Sequence, residues 1–308
     1  MTVAMFLAAV VVGSAGSLSG RTAVSEPAVT TSAGGIAGGA VDLVFEGAGA
    51  GCSEKEIRAY VARAADAVTL YLGRFPVKKV IVDITLGKPG HIGHGVTYMG
   101  WKIRFDVGRD CESEDLADDW RMTHEMFHLA FPDLDDDYLW MEEGLSTYLE
   151  PIARARAGQL TEERVWDDMA DGMPQGLPQK KDRGLDRTHT WGRTYWGGCL
   201  FWLQADVAIR ERTNGKKSVD DAIRAILAAG GDGSQHWSLE RVIETGDKAT
   251  GTTVLADLHE TYGLKATSTD LDALWKKLGV ERTLPHGVAL HDEAPQAALR
   301  RAITARAP

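Results

Sequence analysis

Three cysteines in 308 residues, with no Cys-x-x-Cys spacing among them, exclude a thiolate zinc cluster and a dithiol redox centre. Positive charge is also short: 34 Lys and Arg stand against 44 Asp and Glu, for a formal net charge of −10. The cations form no block and no stripe interleaved with aromatic residues, which argues against a nucleic-acid partner, because phosphate neutralisation needs clustered Lys and Arg. Long apolar runs are missing too. The stretch from Met1 to Val12 falls well short of the ~20 residues of a membrane span. No internal repeat is present.

What is there is ordinary globular material, 44% hydrophobic and 25% charged, enough to build a core. The apolar start runs into Gly13-Ser14-Ala15-Gly16 and has the outline of a secretory signal, assigned to residues 1–20. Residues 21–40 are rich in Gly, Ala, Ser and Thr without periodicity, so a disordered stalk is expected. Export is the matching expectation for location. In an oxidising compartment Cys52 and Cys111 can pair, whereas Cys199 reads as a small buried hydrophobe.

Order is expected from residue 41. Val41 to Phe45 alternates like a strand, Ser53 to Leu72 follows helical spacing, and Lys79 to Leu86 is a β-branched strand. Gly95 to Val107 makes a third extended piece. Residues 41–110 thus form an α/β part, followed by a helical region over 111–280 and a tail over 281–308. Within the helical region the pattern predicts a helix from Glu114 to Phe131, with Leu116, Trp120, Thr123 and Phe127 on its buried side. A second, from Tyr138 to Glu150, should end or kink at Pro151. Further helices are expected at Arg193 to Thr213, from Ser218, and over 238–246, 253–262 and 268–278; residues 158–190 resist assignment. Strands first and helices after imply an α+β unit.

One cluster carries chemistry. His124-Glu125-Met126-Phe127-His128 places two imidazoles on one helix face, a turn apart. Glu143, in Trp140-Met141-Glu142-Glu143-Gly144, lies fifteen positions beyond His128 on the next helix. Two imidazoles and a carboxylate suit one Zn²⁺ ion and leave its fourth position for water, with Glu125 beside them to take a proton; that is the arrangement of metal-assisted peptide hydrolysis. Glu142 and Glu143 point about 100° apart on a helix, so only one can face the metal.

The run from Trp140 to Tyr148 resembles the Trp-Leu-x-Glu-Gly-x-x-x-Tyr segment of the gluzincin peptidases, in which the Glu before Gly is the ligand. The resemblance assigns His124, His128 and Glu143 to the metal and leaves Glu142 behind them or exposed. It extends to the aminopeptidase N family and, more fully, to the glycyl aminopeptidases, through Tyr195-Trp196-Gly197-Gly198-Cys199-Leu200-Phe201-Trp202-Leu203 and the stretch from Asp206 to Asp221. It implies a zincin-type, thermolysin-like catalytic region, with Tyr195 stabilising the tetrahedral intermediate. Two departures stand out: the spacing from His128 to Glu143 is shorter than in aminopeptidase N relatives, and the extended piece Gly93 to Gly100 lacks the carboxylate with which they hold a substrate amine. His189 and Arg193 are weighed as further cleft residues, Arg193 for a substrate carboxylate. The function implied is a zinc metallopeptidase acting on peptide or protein substrates, with an inactive zinc-binding protein or a metallohydrolase of non-peptide amides as alternatives.

Overall fold

The computed structural model describes residues 31–36, 39–283 and 287–305. The expected secretory signal and residues 21–30 of the expected stalk lie outside the described residues. Strand β1 (Thr31–Ile36) pairs antiparallel with β2 (Gly39–Gly47). Part of the stretch assigned to disorder is therefore an edge strand. Its composition offers little to bury, but an antiparallel ladder satisfies backbone groups whatever the side chains are.

Helix α1 (Glu54–Leu72) starts at a capping box: Ser53 Oγ accepts from the Glu56 amide, and Glu56 Oε2 accepts from the Ser53 amide at 2.8 Å. Ile57, Tyr60, Val61, Ala64, Val68 and Tyr71 are buried along it, as their spacing predicts. Strand β3 (Lys79–Lys88) lies parallel to β2, with Val80, Val82 and Ile84 in the core. The third extended piece is a hairpin, not one strand: β4 (Ile92–Tyr98) turns at Met99 and Gly100, both at positive φ, into β5 (Lys102–Gly108). The sheet order β1-β2-β3-β5-β4 leaves β4 as an edge, antiparallel to β5.

The helix expected from Glu114 to Phe131 is two helices, α2 (Ser113–Asp118) and α3 (Arg121–His128). Asp119 breaks it. Its extended backbone lets the carboxylate accept the Arg121 amide at 2.9 Å and the buried Tyr60 hydroxyl, local bonds that compete with the helical ladder. The break also turns Trp120 outward, so this residue, expected on the buried side, is 44% exposed. Helix α4 (Leu139–Arg156) runs through Pro151 instead of ending there. Glu150, Ile152, Ala153 and Arg154 are all buried around the proline, and that packing outweighs its missing amide bond.

Helix α5 (Glu162–Gly172) falls in the stretch the pattern left unassigned. A π-helical turn, Arg193–Gly197, leads into α6 (Gly198–Thr213), which Asn214 closes in the left-handed conformation at φ 53°. Then follow α7 (Val219–Ala228), α8 (Leu239–Thr250), α9 (Val254–Leu258) and α10 (Leu271–Leu278). The expected C-terminal tail is structured: β6 (Val280–Arg282) pairs with β7 (Val288–Leu290), and α11 (Ala297–Thr304) packs back on the body. Arg300 anchors it. Its buried guanidinium donates to the Gly279 carbonyl and pairs with Glu162 and Asp292. One apolar core runs from Val41 to Ile303. No helix among the described residues is long and apolar enough to cross a membrane.

Cys52 and Cys111 are disulfide-bonded across a sequence separation of 59, joining the start of α1 to the segment ahead of α2. Closing a loop of that length removes roughly 4 kcal/mol of unfolded-state freedom in the chain-entropy limit. Cys52→Ser with Cys111→Ser is therefore expected to lower the urea midpoint clearly, with a loss of about 2–4 kcal/mol. Coincident unfolding curves for the variant and the parent would show the bridge to be energetically idle.

Candidate metal centre

Helix α3 carries His124 and His128 one turn apart, with ring centroids 5.1 Å from each other. Helix α4 brings Glu143 against both. Glu143 Oε2 lies 3.0 Å from His124 Nε2 and 3.5 Å from His128 Nε2, and the three ligand atoms fall within 4.8 Å of one another. His124 is 3% exposed, so little water reaches that side. Burial alone would raise the Glu143 carboxyl, but the His128 charge and hydrogen bonds from both histidines hold it well below the usual carboxylate range. Burial works against a charged His128, yet the Glu143 carboxylate pushes it up to about 9. The donor atoms of the three side chains thus converge on one point. Two imidazole nitrogens and a carboxylate oxygen are a donor set suited to zinc, and the residues present fit that ion.

The neighbouring carboxylate is turned away. Glu142 accepts the Leu134 amide at 2.9 Å, in the loop between α3 and α4, and burial pushes its carboxyl up to about 7 despite the pull of His128.

Glu125, 9% exposed, faces the edge strand. Thr97 Oγ1 on β4 lies 2.8 Å from both Glu125 Oε2 and the Glu125 carbonyl oxygen, so its single proton is shared between the two acceptors and ties Glu125 to the strand. Space for this comes from Gly95: a Cβ there would sit 3.0 Å from Glu125 Cγ and 3.2 Å from the Phe105 ring. Sequence reasoning passed over Thr97 because a lone threonine in a strand carries no spacing signal.

Tyr195 arrives from the π-helical turn, an arrangement that aims one side chain differently from a regular helix. Its ring stacks on His124 at 6.1 Å and on Trp191 at 5.6 Å. Burial, and then the negative charge of Glu143, push the phenol well above its ordinary pKa, so it stays a proton donor. What lets the turn come this close is a glycine contact. A Cβ on Gly144 would lie 2.3 Å from both Cα and C of Gly198.

Two weighed residues stand elsewhere. His189 faces Asp137 at 3.6 Å and is not part of the cluster. Arg193 is buried, with Nε 2.8 Å from Asp182 Oδ2 and Nη1 bonded to the Gly176 carbonyl. These contacts tie its guanidinium to its own loop, and it is not part of the three-residue cluster. Trp120 and Trp191, each one turn before a site residue and half exposed beside it, were not singled out from sequence as site residues.

No protein-family model matches the chain, and no curated protein matches it significantly in sequence. Solved structures do match in shape. An aminopeptidase N family protein from Idiomarina loihiensis aligns at a TM-score of 0.62 with 17% identity, over 87% of this chain and 53% of that one. A two-domain M1 zinc metallopeptidase bound to L-tryptophan aligns at 0.50 with 15% identity, over 76% of this chain and 51% of that one. Native yeast LTA4 hydrolase aligns at 0.50 with 13% identity, over 78% of this chain and 40% of that one. The fold of this chain is that of a portion of these zinc-peptidase-type structures, and it spans about half the length of the first two.

Proposed function

We propose that this chain is a zinc-dependent metallopeptidase whose metal is held by His124, His128 and Glu143. The convergence of those three side chains, with Glu125 and Tyr195 flanking them, is the observation that carries the reading. Zinc bound there supplies Lewis acidity toward a carbonyl oxygen and toward water. Glu125, steadied by Thr97, accepts a proton from the attacking water and returns it to the departing amine. Tyr195 donates its phenolic proton toward the carbonyl oxygen as that atom gains charge. The shared fold with an aminopeptidase N family protein supports this chemistry, and the residues around Tyr195 to Leu203 favour the glycyl aminopeptidases as the nearer relatives. β4 presents no carboxylate to hold a substrate amine, so the reading covers cleavage at chain ends and internal cleavage alike. The Cys52–Cys111 bond fits an exported protein.

The test is a mixed peptide pool incubated with purified protein, with and without a chelator, and cut positions read by mass spectrometry. Hydrolysis that stops on chelation and returns with zinc is expected. Hydrolysis indifferent to the chelator would remove the metal from the mechanism. Tyr195→Phe keeps the ring stack and deletes the donor, so kcat is expected to fall about 10²- to 10³-fold with KM little changed. A KM effect alone would make Tyr195 a packing residue.

A further inference from the structure

Against the π-helical turn lies a cavity of about 10 Å³, lined by the apolar Leu185, Leu200 and Phe201 and by Arg193, Gln204 and Thr269. It has room for one water or one ion of that size. Its polar lining is one-sided. Arg193 Nη2, Gln204 Nε2 and Thr269 Oγ1 are each buried and have no hydrogen-bond partner among the described residues. The oxygen of the Gln204 amide is already taken, since it accepts the Tyr262 hydroxyl at 2.8 Å, so the amino group is what stays unpaired. No side chain of the lining carries a carboxylate.

Arg193 is 4% exposed, and two of its three guanidinium nitrogens are engaged away from the cavity. Nε faces the Asp182 carboxylate at 2.8 Å, and Nη1 donates to the Gly176 carbonyl; neither Asp182 nor Gly176 lines the cavity. Asp182 also accepts the Gly184 amide at 2.8 Å, so its charge is divided. What is left over is Nη2, with two N–H groups and a share of the positive charge. An unpaired charged donor is the most expensive kind to bury, and a low-dielectric surrounding strengthens its pull on a counter-charge. A water molecule here would leave its own two protons in want of acceptors, for which Thr269 Oγ1 is the single unpartnered candidate. An anion only accepts, which matches three donors converging on one small space. Sulfate, phosphate and carboxylate groups are too large for it.

We propose that Arg193, Gln204 and Thr269 hold a single monatomic anion of chloride size, and that this ion braces the turn that presents Tyr195. The guanidinium is the link. Arg193 opens the turn Arg193–Gly197, and a Cβ on Gly197 would lie 3.2 Å from Arg193 Nη1. An ion on Nη2 therefore fixes the guanidinium against Gly197, and Tyr195 stands midway, two residues from each. Neither zinc nor bond cleavage enters, so the site stands or falls apart from the peptidase reading.

The experiment exchanges anions at constant ionic strength. Full-length protein is melted in sodium gluconate, whose anion is too large for the cavity, and in sodium chloride at the same concentration. Chloride at about ten times its Kd is expected to raise the melting temperature by about 2–4 °C. Amide exchange in residues 193–197 is expected to slow about tenfold in the same salt. Gln204→Leu combined with Thr269→Val removes two of the donors, and the difference between the two salts is expected to vanish. Thr269→Val alone deletes no bond the protein makes, so it keeps the test valid should the double variant fail to fold, and a smaller chloride effect than the parent's is expected of it. Crystals soaked in sodium bromide locate the ion: an anomalous peak within hydrogen-bond reach of Arg193 Nη2, absent from the double variant, is expected. A cavity holding water only, a melting temperature indifferent to chloride, or an equal rise in parent and variants overturns the site. A bromide peak with no chloride effect on melting is binding at crystal concentration only, and overturns it as well.

Discussion

Glu125→Gln is expected to cost about 10³-fold or more in turnover while leaving the fold and one bound zinc per chain intact. The substitution changes almost nothing but proton affinity. Glutamine keeps the shape, and its carbonyl oxygen can still accept from Thr97 Oγ1, so the contact between α3 and β4 survives. The metal loses no ligand atom, because the cluster able to hold it consists of His124, His128 and Glu143. What disappears is the carboxylate on the β4 side of the histidines that takes a proton from water and hands it on. Elemental analysis and a melting curve check the two conserved properties; initial rates on the best peptide from the pool check the third. Undiminished hydrolysis would sink the proton-shuttle role. Loss of zinc along with activity would move Glu125 from proton transfer into the metal's binding site.

How much of this was legible in the sequence depended on whether a local rule decided the outcome. The pairing of His124 with His128 was legible because helical periodicity puts both on one face, whereas periodicity left Glu142 and Glu143 as alternatives and only the resemblance to the gluzincin segment chose Glu143. The helix from Ser53 to Leu72, with Ile57, Tyr60, Val61 and Val68 along its buried side, was legible for the same reason. Where tertiary contacts decided, local rules failed. Asp119 broke a helix because the distant Tyr60 hydroxyl and the next-turn amide both reach its carboxylate. Pro151 failed to stop α4 because its surroundings are buried, and residues 287–305 pack on the body because Arg300 finds Glu162 138 positions away. Thr97 meets Glu125 only because β4 sits at the edge of the sheet beside α3, which no spacing in the chain announces.

The same dependence on long-range contact sets the second large effect. Gly144→Ala is expected to lower both stability and turnover, with zinc binding largely kept. The new Cβ would lie 2.3 Å from Cα and C of Gly198 and 2.8 Å from the Cys199 amide nitrogen, and Gly198 has no slack of its own, since a Cβ there would lie 2.1 Å from the Trp140 carbonyl oxygen. Backbone presses on backbone, so no rotamer change relieves the overlap; α4 and α6 must part by about 1 Å. Overpacking of this kind costs about 1–3 kcal/mol, of which the better helix propensity of alanine returns at most ~1 kcal/mol. Parting the helices carries Tyr195, three residues before Gly198, away from Glu143, one residue before Gly144, and a displacement near 1 Å at a reacting centre is worth about 10²-fold in rate. The contact of α3 with α4 lies elsewhere, so the two histidines keep their carboxylate. Gly246→Ala is the control: there the closest atom to the Cβ would be Leu255 Cδ1 at 2.5 Å, the end of a side chain that can turn aside. Melting temperature, zinc content and kcat measured on both variants separate the outcomes. A Gly144→Ala protein with parental kcat would mean that the glycine contact sets the packing of α4 on α6 without setting the reach of Tyr195.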